Sequence, residues 1–414
     1  MQTIHVVGLG VDHREFTPMI LKRVDAAEVL VGGDRLLALF RDHPGVKIPI
    51  RSPLEDVIKR IADELKFHRE VVVLAEGDPG FFGIGKRLID AFGKESVILY
   101  PNVTMLQAAA SGIKIPWHNI KIVSLHGRGE MQPLFRALVR NDRIGVFTDP
   151  NFHPAKVAEE LLQRGVDAFK MHVFEALGTA SEKVGCFTLT EAAARLFFPL
   201  NFIILERTKH AEIPLTLGLD DDLYQHQKGL ITKREIRAVS LSALEIEPNH
   251  TVWDLGAGCG SVAIESSFLA HEGAVLAVEK DPERIRLIRA NVSRCGAFGV
   301  DVMQGEMPGC LQSLPDPDRV FIGGGIGNDT RVLAEAARRL KPGGKIVLNL
   351  VLMGSLARAM DYLREQKWTF LITQIQVSRS KSTAGDQRLA ALNPVYILSA
   401  APGLETGRRP GHKE

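Results

Sequence analysis

The sequence has few features that would tie the chain to an oxidising compartment or a membrane. It has only 4 cysteines in 414 residues, and they include no C-x-x-C pair. Such widely spaced cysteines are typical of reduced thiols, so we expect neither a disulfide framework nor a zinc site. No apolar run reaches the roughly 18 residues of a membrane span. The first residues, MQTIHVVGLG, predict a strand and turn rather than a signal segment. We therefore expect a soluble, cytoplasmic protein.

Charge is also nearly balanced, with 51 Lys and Arg against 49 Asp and Glu. A nucleic-acid partner usually leaves a basic stripe, so this class of partner is disfavoured. The hydrophobic fraction of 45% and the charged fraction of 24% are typical of a globular protein. A chain of this length exceeds one ordinary core. We expect one domain at 1–207, a connection at 208–231, a second domain at 232–402 and a disordered tail at 403–414.

Both halves alternate short apolar runs with helix-length segments, a pattern typical of α/β domains. In the first half we predict strands at 4–7, 29–31, 71–75 and 144–148, helices at 54–67 and 154–164, and a largely parallel sheet. In the second half we predict a helix at 232–244 and strands at 252–255, 274–278, 320–322 and 346–350. Ligands of such sheets bind at the carboxyl ends of the strands.

The most informative motif follows the predicted strand at 252–255. Its sequence is VWDLGAGCGS, which places glycines at 256, 258 and 260, and the next strand ends on Glu279. Glycines allow a tight turn and a close ligand approach. An acid at the next strand end can accept hydrogen bonds from ribose hydroxyls. We therefore expect a cofactor that contains adenosine.

Two alternatives to S-adenosylmethionine (SAM) remain open for this motif. A dinucleotide site would have the spacing G-x-G-x-x-G, but Ser261 stands where its third glycine would be. The compact spacing therefore favours a cofactor without a diphosphate, such as SAM. The other alternative is a purely structural turn.

Further motifs in the second half are Thr232-Lys233-x-Glu235-Ile236-Arg237, Gly305-Glu306-Met307-Pro308, Ile322-Gly-Gly-Gly325 and Asn393-Pro394. Together with the glycine motif, they resemble the decarboxylating methyltransferase domain of cobalamin (corrin) biosynthesis. The resemblance implies a Rossmann-like class I SAM methyltransferase fold. It implies these cofactor-binding residues: Thr232, Asp254, Gly256, Ala257, Gly258, Cys259, Gly260, Glu279, Glu306 and Met307.

The first half contains Gly8-Leu-Gly10, Gly77-Asp78-Pro79, Pro101-Asn-Val103-Thr104 and Thr148-Asp149. This set resembles the tetrapyrrole methylase family, whose SAM lies between two α/β subdomains. The resemblance implies these cofactor-binding residues: Gly8, Gly10, Gly77, Asp78, Val103, Thr104 and Thr148. The chain departs from the family pattern at Val11-Asp12-His13 and at Glu76, where a smaller residue is usual.

The order of the two halves implies a SAM-dependent enzyme that acts twice on a precorrin macrocycle. On this resemblance it methylates C5 and C15 and decarboxylates the C12 acetate. The nucleophile is then a substrate carbon, so we assign no catalytic side chain and no metal. The family also implies a possible homo-oligomer.

Several residues keep a plainer alternative role. Thr232 and Thr104 are each suited to cap a helix, and Gly77-Asp78-Pro79 is suited to a simple turn. Glu306 and Met307 are alternatively a surface acid and a core residue. The carboxylates of the substrate call for arginines, and we predict Arg379 and Arg388, near Lys381 in a glycine-containing loop. The alternative there is a solvated basic loop.

Three other functions remain open at this stage. The first is SAM-dependent methylation of another acceptor such as RNA, which would bind with a strong salt dependence. The second is an NAD-linked oxidoreductase. The third is a non-catalytic binding protein with degenerate pockets.

Overall fold

The structure, a computed structural model, describes residues 3–12, 16–67, 69–125, 127, 129–227, 229–324, 326–327 and 329–403. Most of the predicted tail and Gly325 of the glycine triplet therefore lie outside the described residues. The chain divides into two compact units. The first comprises 1–129, 142–159 and 170–206, and the second comprises 130–141, 160–169 and 207–414. The predicted domain boundaries at 207 and 231 remain predictions.

The first half of the chain alternates strands and helices as its pattern predicts. Its strands are β1 (Ile4–Gly8), β2 (Val29–Gly32), β3 (Val46–Pro49), β4 (Val71–Ala75), β5 (Val97–Tyr100), β6 (Lys121–Ser124), β7 (Arg143–Phe147), β8 (Phe169–Glu175), β9 (Lys183–Thr188) and β10 (Asn201–Arg207). Its helices are α1 (Pro18–Asp25), α2 (Asp34–Ala38), α3 (Leu54–Lys66), α4 (Gly85–Phe92), α5 (Met105–Gly112), α6 (Gln132–Arg140), α7 (Pro154–Gln163) and α8 (Leu189–Ala193), with a 3-10 helix at Lys94–Ser96.

The first unit contains two sheets, of which only the first is parallel. The first has the order β3-β2-β4-β1-β5 and pairs its strands in parallel. Its central strands β1 and β4 are buried along their whole length, as expected for a parallel sheet covered on both faces.

The second sheet has the order β6-β7-β10-β8-β9. The predicted parallel arrangement holds for β6 with β7, but it is wrong for β7 with β10 and for β8 with β9, which are antiparallel. The segment 176–182 between β8 and β9 contains no helix. Such a short connection cannot make the crossover that parallel strands require.

The second half of the chain forms one further large sheet and a hairpin. Its strands are β11 (Thr251–Leu255), β12 (Ala274–Glu279), β13 (Val300–Gln304), β14 (Arg319–Ile322), β15 (Lys345–Leu350), β16 (Thr369–Ile375), β17 (Ser378–Thr383), β18 (Asp386–Ala391) and β19 (Val395–Ala401). Its helices are α9 (Arg234–Leu244), α10 (Ser261–Leu269), α11 (Pro282–Cys295), α12 (Arg331–Arg339) and α13 (Met353–Glu365), with 3-10 helices at Asp221–Leu223 and Gly309–Ser313.

The large sheet has the order β13-β12-β11-β14-β15-β19-β16. Its first five strands are parallel, and β19 is antiparallel to both neighbours. The predicted Rossmann-like methyltransferase fold is thereby confirmed. The strand order reverses between β11 and β14, and ligands of open α/β sheets bind at such a switch point.

Two local predictions are corrected. The basic segment around Arg379 is a hairpin of β17 and β18 rather than a loop. Its two turn residues, Ala384 and Gly385, have φ of +52° and +85°, which a type I′ turn requires. Helix α9 begins at Arg234 after Lys233, so Thr232 lies outside it.

Among the helices that the structure describes, none combines the length and the apolar character that a bilayer span requires.

Candidate functional site

The glycine motif of the second unit forms the turn between β11 and α10. Gly256, Gly258 and Gly260 have φ of +75°, +60° and +81°, in the left-handed region that favours glycine. A Cβ on Gly256 would lie 2.8 Å from the carbonyl oxygen of Gly323, and one on Gly260 would lie 2.9 Å from the Ile288 side chain. The turn therefore needs glycine for both its conformation and its packing.

Glu279 ends β12 beside this turn and is 3% exposed. Its Oε2 accepts a hydrogen bond from Gly258 N at 3.0 Å, and its Oε1 accepts from Lys280 N and Asp281 N at 2.9 and 3.1 Å. The carboxylate thus holds the glycine turn in place. Since each carboxylate oxygen can accept two bonds, Oε2 keeps capacity for one further donor.

A cavity of about 480 Å³ opens beside the glycine turn. The predicted residues that line it are Thr232, Asp254, Gly256, Ala257, Gly258 and Cys259. The cofactor roles predicted for the others stay predictions: Gly260, Glu279, Glu306 and Met307. Of these, the loop of Glu306 and Met307 follows Gly305, whose N–H donates to the carbonyl oxygen of Glu279 at 3.0 Å.

Asp254 presents a buried carboxylate to this cavity. It is 1% exposed, and its Oδ2 accepts from Ala263 N at 2.9 Å. Its Oδ1 has no partner among the described residues. Burial raises the pKa of this carboxyl to about 7, and the charge of Glu279 acts in the same direction. An unsatisfied buried oxygen is costly, so the site is suited to a ligand that donates a hydrogen bond.

Other unsatisfied groups lie on the same walls. Within the described parts of the chain, six buried side-chain N or O atoms lack a hydrogen-bond partner. Four belong to residues that line this cavity: Asp254, Arg284, Asn349 and Arg358. This concentration indicates a binding site for a polar ligand. Burial also raises the pKa of the Cys259 thiol, which makes it a poor nucleophile at neutral pH.

The cavity wall that contains Thr232 is stabilised by Arg237, which is fully buried. Its guanidinium donates to Glu265 Oε1 and to the carbonyl oxygen of Thr232, both at 2.6 Å. Thr232 does not cap α9, because the cap position is Lys233. The capping alternative for Thr232 is therefore wrong, and its cofactor role stays a prediction.

The predicted substrate arginines do not line the cavity. Arg379 donates to Glu235 Oε1 and Asp221 Oδ2, each at 3.0 Å, and these carboxylates raise the pKa of its guanidinium. Arg388 lies on β18 and donates to Thr383 Oγ1 at 3.2 Å. A substrate contact stays a prediction for both, and the two carboxylates count against it for Arg379.

In the first unit, the turns after β1 and β4 are joined to each other. Gly10 N donates to Gly77 O at 3.2 Å, and Gly77 N donates to Gly10 O at 2.9 Å. Both residues have positive φ. A Cβ on Gly8 would collide with the carbonyl oxygen of Gly77. The predicted glycines therefore let the two loops meet.

Asp78 ties a third loop to this pair. Its Oδ1 accepts from Gly80 N at 2.7 Å, and its Oδ2 accepts from Asn102 N at 3.2 Å. Asn102 in turn donates through Nδ2 to Gly8 O at 2.9 Å. The motif around residue 102 is visible in the sequence, but this bridging role of Asn102 was not predicted.

The two predicted threonines of this unit already have intramolecular partners. Thr104 caps α5 in a capping box with Gln107, which confirms its capping role and leaves its cofactor role a prediction. Thr148 Oγ1 donates toward the backbone and side-chain oxygens of Asn201, at 2.9 and 2.7 Å.

A second cavity, of about 670 Å³, lies within the first unit. The predicted residues that line it are Gly77, Asp78, Thr104 and Thr148. Gly8, Gly10 and Val103 do not line it, and their cofactor roles stay predictions. Glu76, which departs from the family pattern, lies on its wall and is paired with Arg35.

Four aromatic rings contribute to this second cavity's wall. Phe81, Phe82, Phe147 and Phe202 all line it. The ring centroids of Phe147 and Phe202 are 5.1 Å apart, and those of Phe81 and Phe82 are 5.2 Å apart. Such walls fit a flat conjugated ligand. None of these four phenylalanines was predicted from the sequence as a site residue.

Comparisons with known proteins match both halves of the chain. The family described as "Precorrin methyltransferase domain" matches residues 222–401. The family described as "Tetrapyrrole (Corrin/Porphyrin) Methylases" matches residues 3–193.

Similar proteins include a precorrin-6Y C(5,15)-methyltransferase [decarboxylating] from Sinorhizobium sp., which is 36% identical over 86% of each chain. A probable cobalt-precorrin-6B C(15)-methyltransferase (decarboxylating) from Pyrobaculum calidifontis is 36% identical over 45% of this chain and 96% of its own length. A solved precorrin-6Y C5,15-methyltransferase structure from Geobacter metallireducens has 38% identity and a TM-score of 0.44, covering 47% of this chain and 100% of that chain.

The match to the Sinorhizobium protein extends over most of both sequences, so it is not limited to one shared module. We conclude that this chain belongs to the precorrin-6Y C5,15-methyltransferase (decarboxylating) family, whose members are SAM-dependent methyltransferases of cobalamin biosynthesis.

Proposed function

We propose that this chain methylates C5 and C15 of precorrin-6Y (precorrin-6B) and removes the C12 acetate carboxyl as carbon dioxide to give precorrin-8X, with one SAM site in each unit. The observation that carries the proposal is the cavity beside the glycine turn, where Asp254 Oδ1 is buried without a partner. The printed name of the Sinorhizobium relative and the extent of its match support the substrate.

In the second unit, the proposed cofactor residues are Thr232, Asp254, Gly256, Ala257, Gly258, Cys259, Gly260, Glu279, Glu306 and Met307. The ionised Asp254 carboxylate would accept from the ammonium group of the cofactor and attract its positive charge. Glu279 would use the remaining capacity of Oε2 for a ribose hydroxyl. When bound, SAM supplies an electrophilic methyl group. The protein's main contribution is then alignment and exclusion of water.

In the first unit, the proposed cofactor residues are Gly8, Gly10, Gly77, Asp78, Val103, Thr104 and Thr148. The hydrogen bonds of Asp78 and Asn102 would keep three loops in one arrangement for the cofactor. The aromatic wall of this cavity would contact the flat macrocycle.

The division of labour follows the two family matches. We assign C15 methylation and decarboxylation to the second unit, because the precorrin methyltransferase family matches 222–401. The half-length Pyrobaculum relative, named as a decarboxylating C(15)-methyltransferase, supports this assignment. C5 methylation then falls to the first unit.

The proposed partner is a small-molecule precorrin and not a nucleic acid, which fits the nearly balanced charge of the chain. A cytoplasmic location and a homo-oligomeric state complete the proposal.

The decisive experiment incubates the intact chain with SAM and precorrin-6Y and measures the product by mass spectrometry. The wild-type protein should add two methyl groups and release carbon dioxide. Asp78→Ala should lose one methylation and keep decarboxylation, because it releases loops of the first unit only. Asp90→Ala is the control, since Asp90 is exposed and pairs with Lys86 on its own helix.

Failure of the wild-type protein to methylate the macrocycle would contradict the proposed function. Equal loss of methylation and decarboxylation in a folded Asp78→Ala variant would contradict the division between the units.

A further inference from the structure

The cavity of the second unit has an exposed apolar edge. Leu230, Val351 and Leu352 line it and are 57%, 54% and 70% exposed. Large apolar side chains grouped at the mouth of a cavity are typical of a ligand surface. We call these three residues the apolar edge.

Arg358 lines the same cavity from α13. Its Nη2 donates to the carbonyl oxygen of Gly327 at 2.7 Å and to Ser355 Oγ at 3.1 Å. Its Nε is buried and has no partner. Within the described parts of the chain, no carboxylate lies within ion-pair distance of Arg358. Arg358 is therefore a positioned cation without a counter-charge among the described residues, whereas Arg379 pairs with Glu235 and Asp221.

The sheet order separates Arg358 from the acids assigned to the cofactor. Helix α13 follows β15, whereas the glycine turn follows β11, and β14 lies between these strands. Neighbouring strands are about 4.8 Å apart, so the two strand ends are on the order of 10 Å apart. Glu279 ends β12, on the far side of β11. A cofactor that extends from Glu279 to the glycine turn leaves the α13 side of the cavity for another molecule.

We propose that Arg358 binds a peripheral carboxylate of the tetrapyrrole macrocycle while the apolar edge contacts the face of the ring. An arginine fork matches a carboxylate in geometry and charge, and a flat ring with acidic side chains needs both kinds of contact. This inference rests on the proposed function, and it assigns to Arg358 the substrate contact that the sequence predicted for Arg379 and Arg388.

The test uses the full chain with saturating SAM and varies the concentration of precorrin-6Y, with decarboxylation as the readout. Arg358→Met should raise the macrocycle concentration for half-maximal decarboxylation by about 10-fold or more, as expected for a lost charge-assisted hydrogen bond. The rate at saturation and the calorimetric Kd for SAM should stay near the wild-type values. Arg358→Lys should recover part of the loss, because it restores the charge without the fork.

Arg364→Met is the matched control. Arg364 lies on the same helix, pairs with Asp361 and is 60% exposed, so its loss should change neither constant. Unchanged macrocycle dependence in an Arg358→Met variant that still binds SAM would overturn the inference. A parallel rise in the Kd for SAM would also overturn it, by assigning Arg358 to the cofactor's own carboxylate. A wild-type protein that binds SAM but never decarboxylates the macrocycle would overturn the proposed function, and this inference with it.

Discussion

In the second unit, several buried side-chain atoms around the glycine turn lack a hydrogen-bond partner among the described residues. In the first unit, the loops after β1 and β4 and the loop of Asn102 are instead hydrogen-bonded to one another. The six unsatisfied buried atoms within the described residues all belong to the second unit. In the first cavity, Asp78, Thr104 and Thr148 already have intramolecular partners.

This difference indicates that the two proposed SAM sites are built in different ways. The first cavity relies on loops that are pre-organised by their own hydrogen bonds and on aromatic walls. The second relies on polar and charged side chains whose missing hydrogen bonds a ligand must supply. Ligand binding in the second unit should therefore depend more on charge and on pH than binding in the first.

The largest expected effect is the loss of SAM binding in the second unit when the glycine turn is substituted. Gly256→Val should abolish SAM binding in the second unit, because valine disfavours a φ of +75° and its Cβ would collide with Gly323 O. Calorimetry should find the first unit's site intact. Gly343→Val is the control, since Gly343 has the same φ with no atom near its Cβ position. Two intact sites in Gly256→Val would be incompatible with a cofactor on this turn.

The next largest effect concerns Glu279. Glu279→Ala should weaken SAM binding in the second unit by about 2–3 kcal/mol through lost charge-assisted hydrogen bonds. The first unit's affinity provides an internal standard. Glu283→Ala is the control, because Glu283 is exposed and pairs with Arg286 on the same helix. If the SAM affinities of both units stay unchanged in Glu279→Ala, then Glu279 does not bind the cofactor.

The pH dependence should separate the two units. The pKa of Asp254 is raised from its ordinary value of 3.8 to about 7, so below pH 7 the ligand-free carboxyl is mostly neutral. Binding of the cationic cofactor to the second unit should therefore strengthen by about 10-fold per pH unit up to pH 7 and then level off. The first unit should show a flat profile. Isothermal titrations between pH 5.5 and about 8.5 would measure both.

The same shift has an opposite consequence for stability. A raised pKa means that the folded, ligand-free state binds more protons than the unfolded chain between about pH 4 and pH 7. This group's contribution to the free energy of unfolding therefore falls as pH rises through that window. Asp254→Asn should remove both dependences. A pH-dependent SAM affinity that persists in Asp254→Asn would assign the effect to another group.

The smallest expected effect is a difference in stability between variants of Thr104 and Thr232. Thr104→Ala should lower the free energy of unfolding of the first unit by about 1 kcal/mol, because Thr104 caps α5. Thr232→Ala should leave stability unchanged, since Thr232 caps no helix. Urea unfolding monitored for each unit measures both, and Thr104→Ser should retain the cap. An equal loss in the two alanine variants would contradict this contrast.

Local residue types allowed much of the fold and of the second site to be predicted. The glycine turn, the acid at the end of β12 and the alternation of strands and helices each follow from short stretches of sequence. The antiparallel pairs of the first unit were not anticipated, although the short helix-free segment 176–182 would have indicated one of them.

Contacts between residues far apart in sequence could not be predicted in the same way. The partners of Arg379 include Asp221, which is 158 residues away in sequence. An arginine that the sequence predicts to be free for substrate can therefore be paired with a carboxylate in the fold. Asn349 interrupts the apolar run of β15 and could have been noticed as a buried polar residue. Arg358 resembles any helical arginine, and only the fold places it on the cavity.

Equilibrium dialysis of the intact chain against labelled SAM tests most directly whether each unit holds its own cofactor. Two molecules bound per polypeptide, reduced to one in Gly256→Val, is the expected result. A wild-type stoichiometry of one or none would contradict the existence of two separate SAM sites.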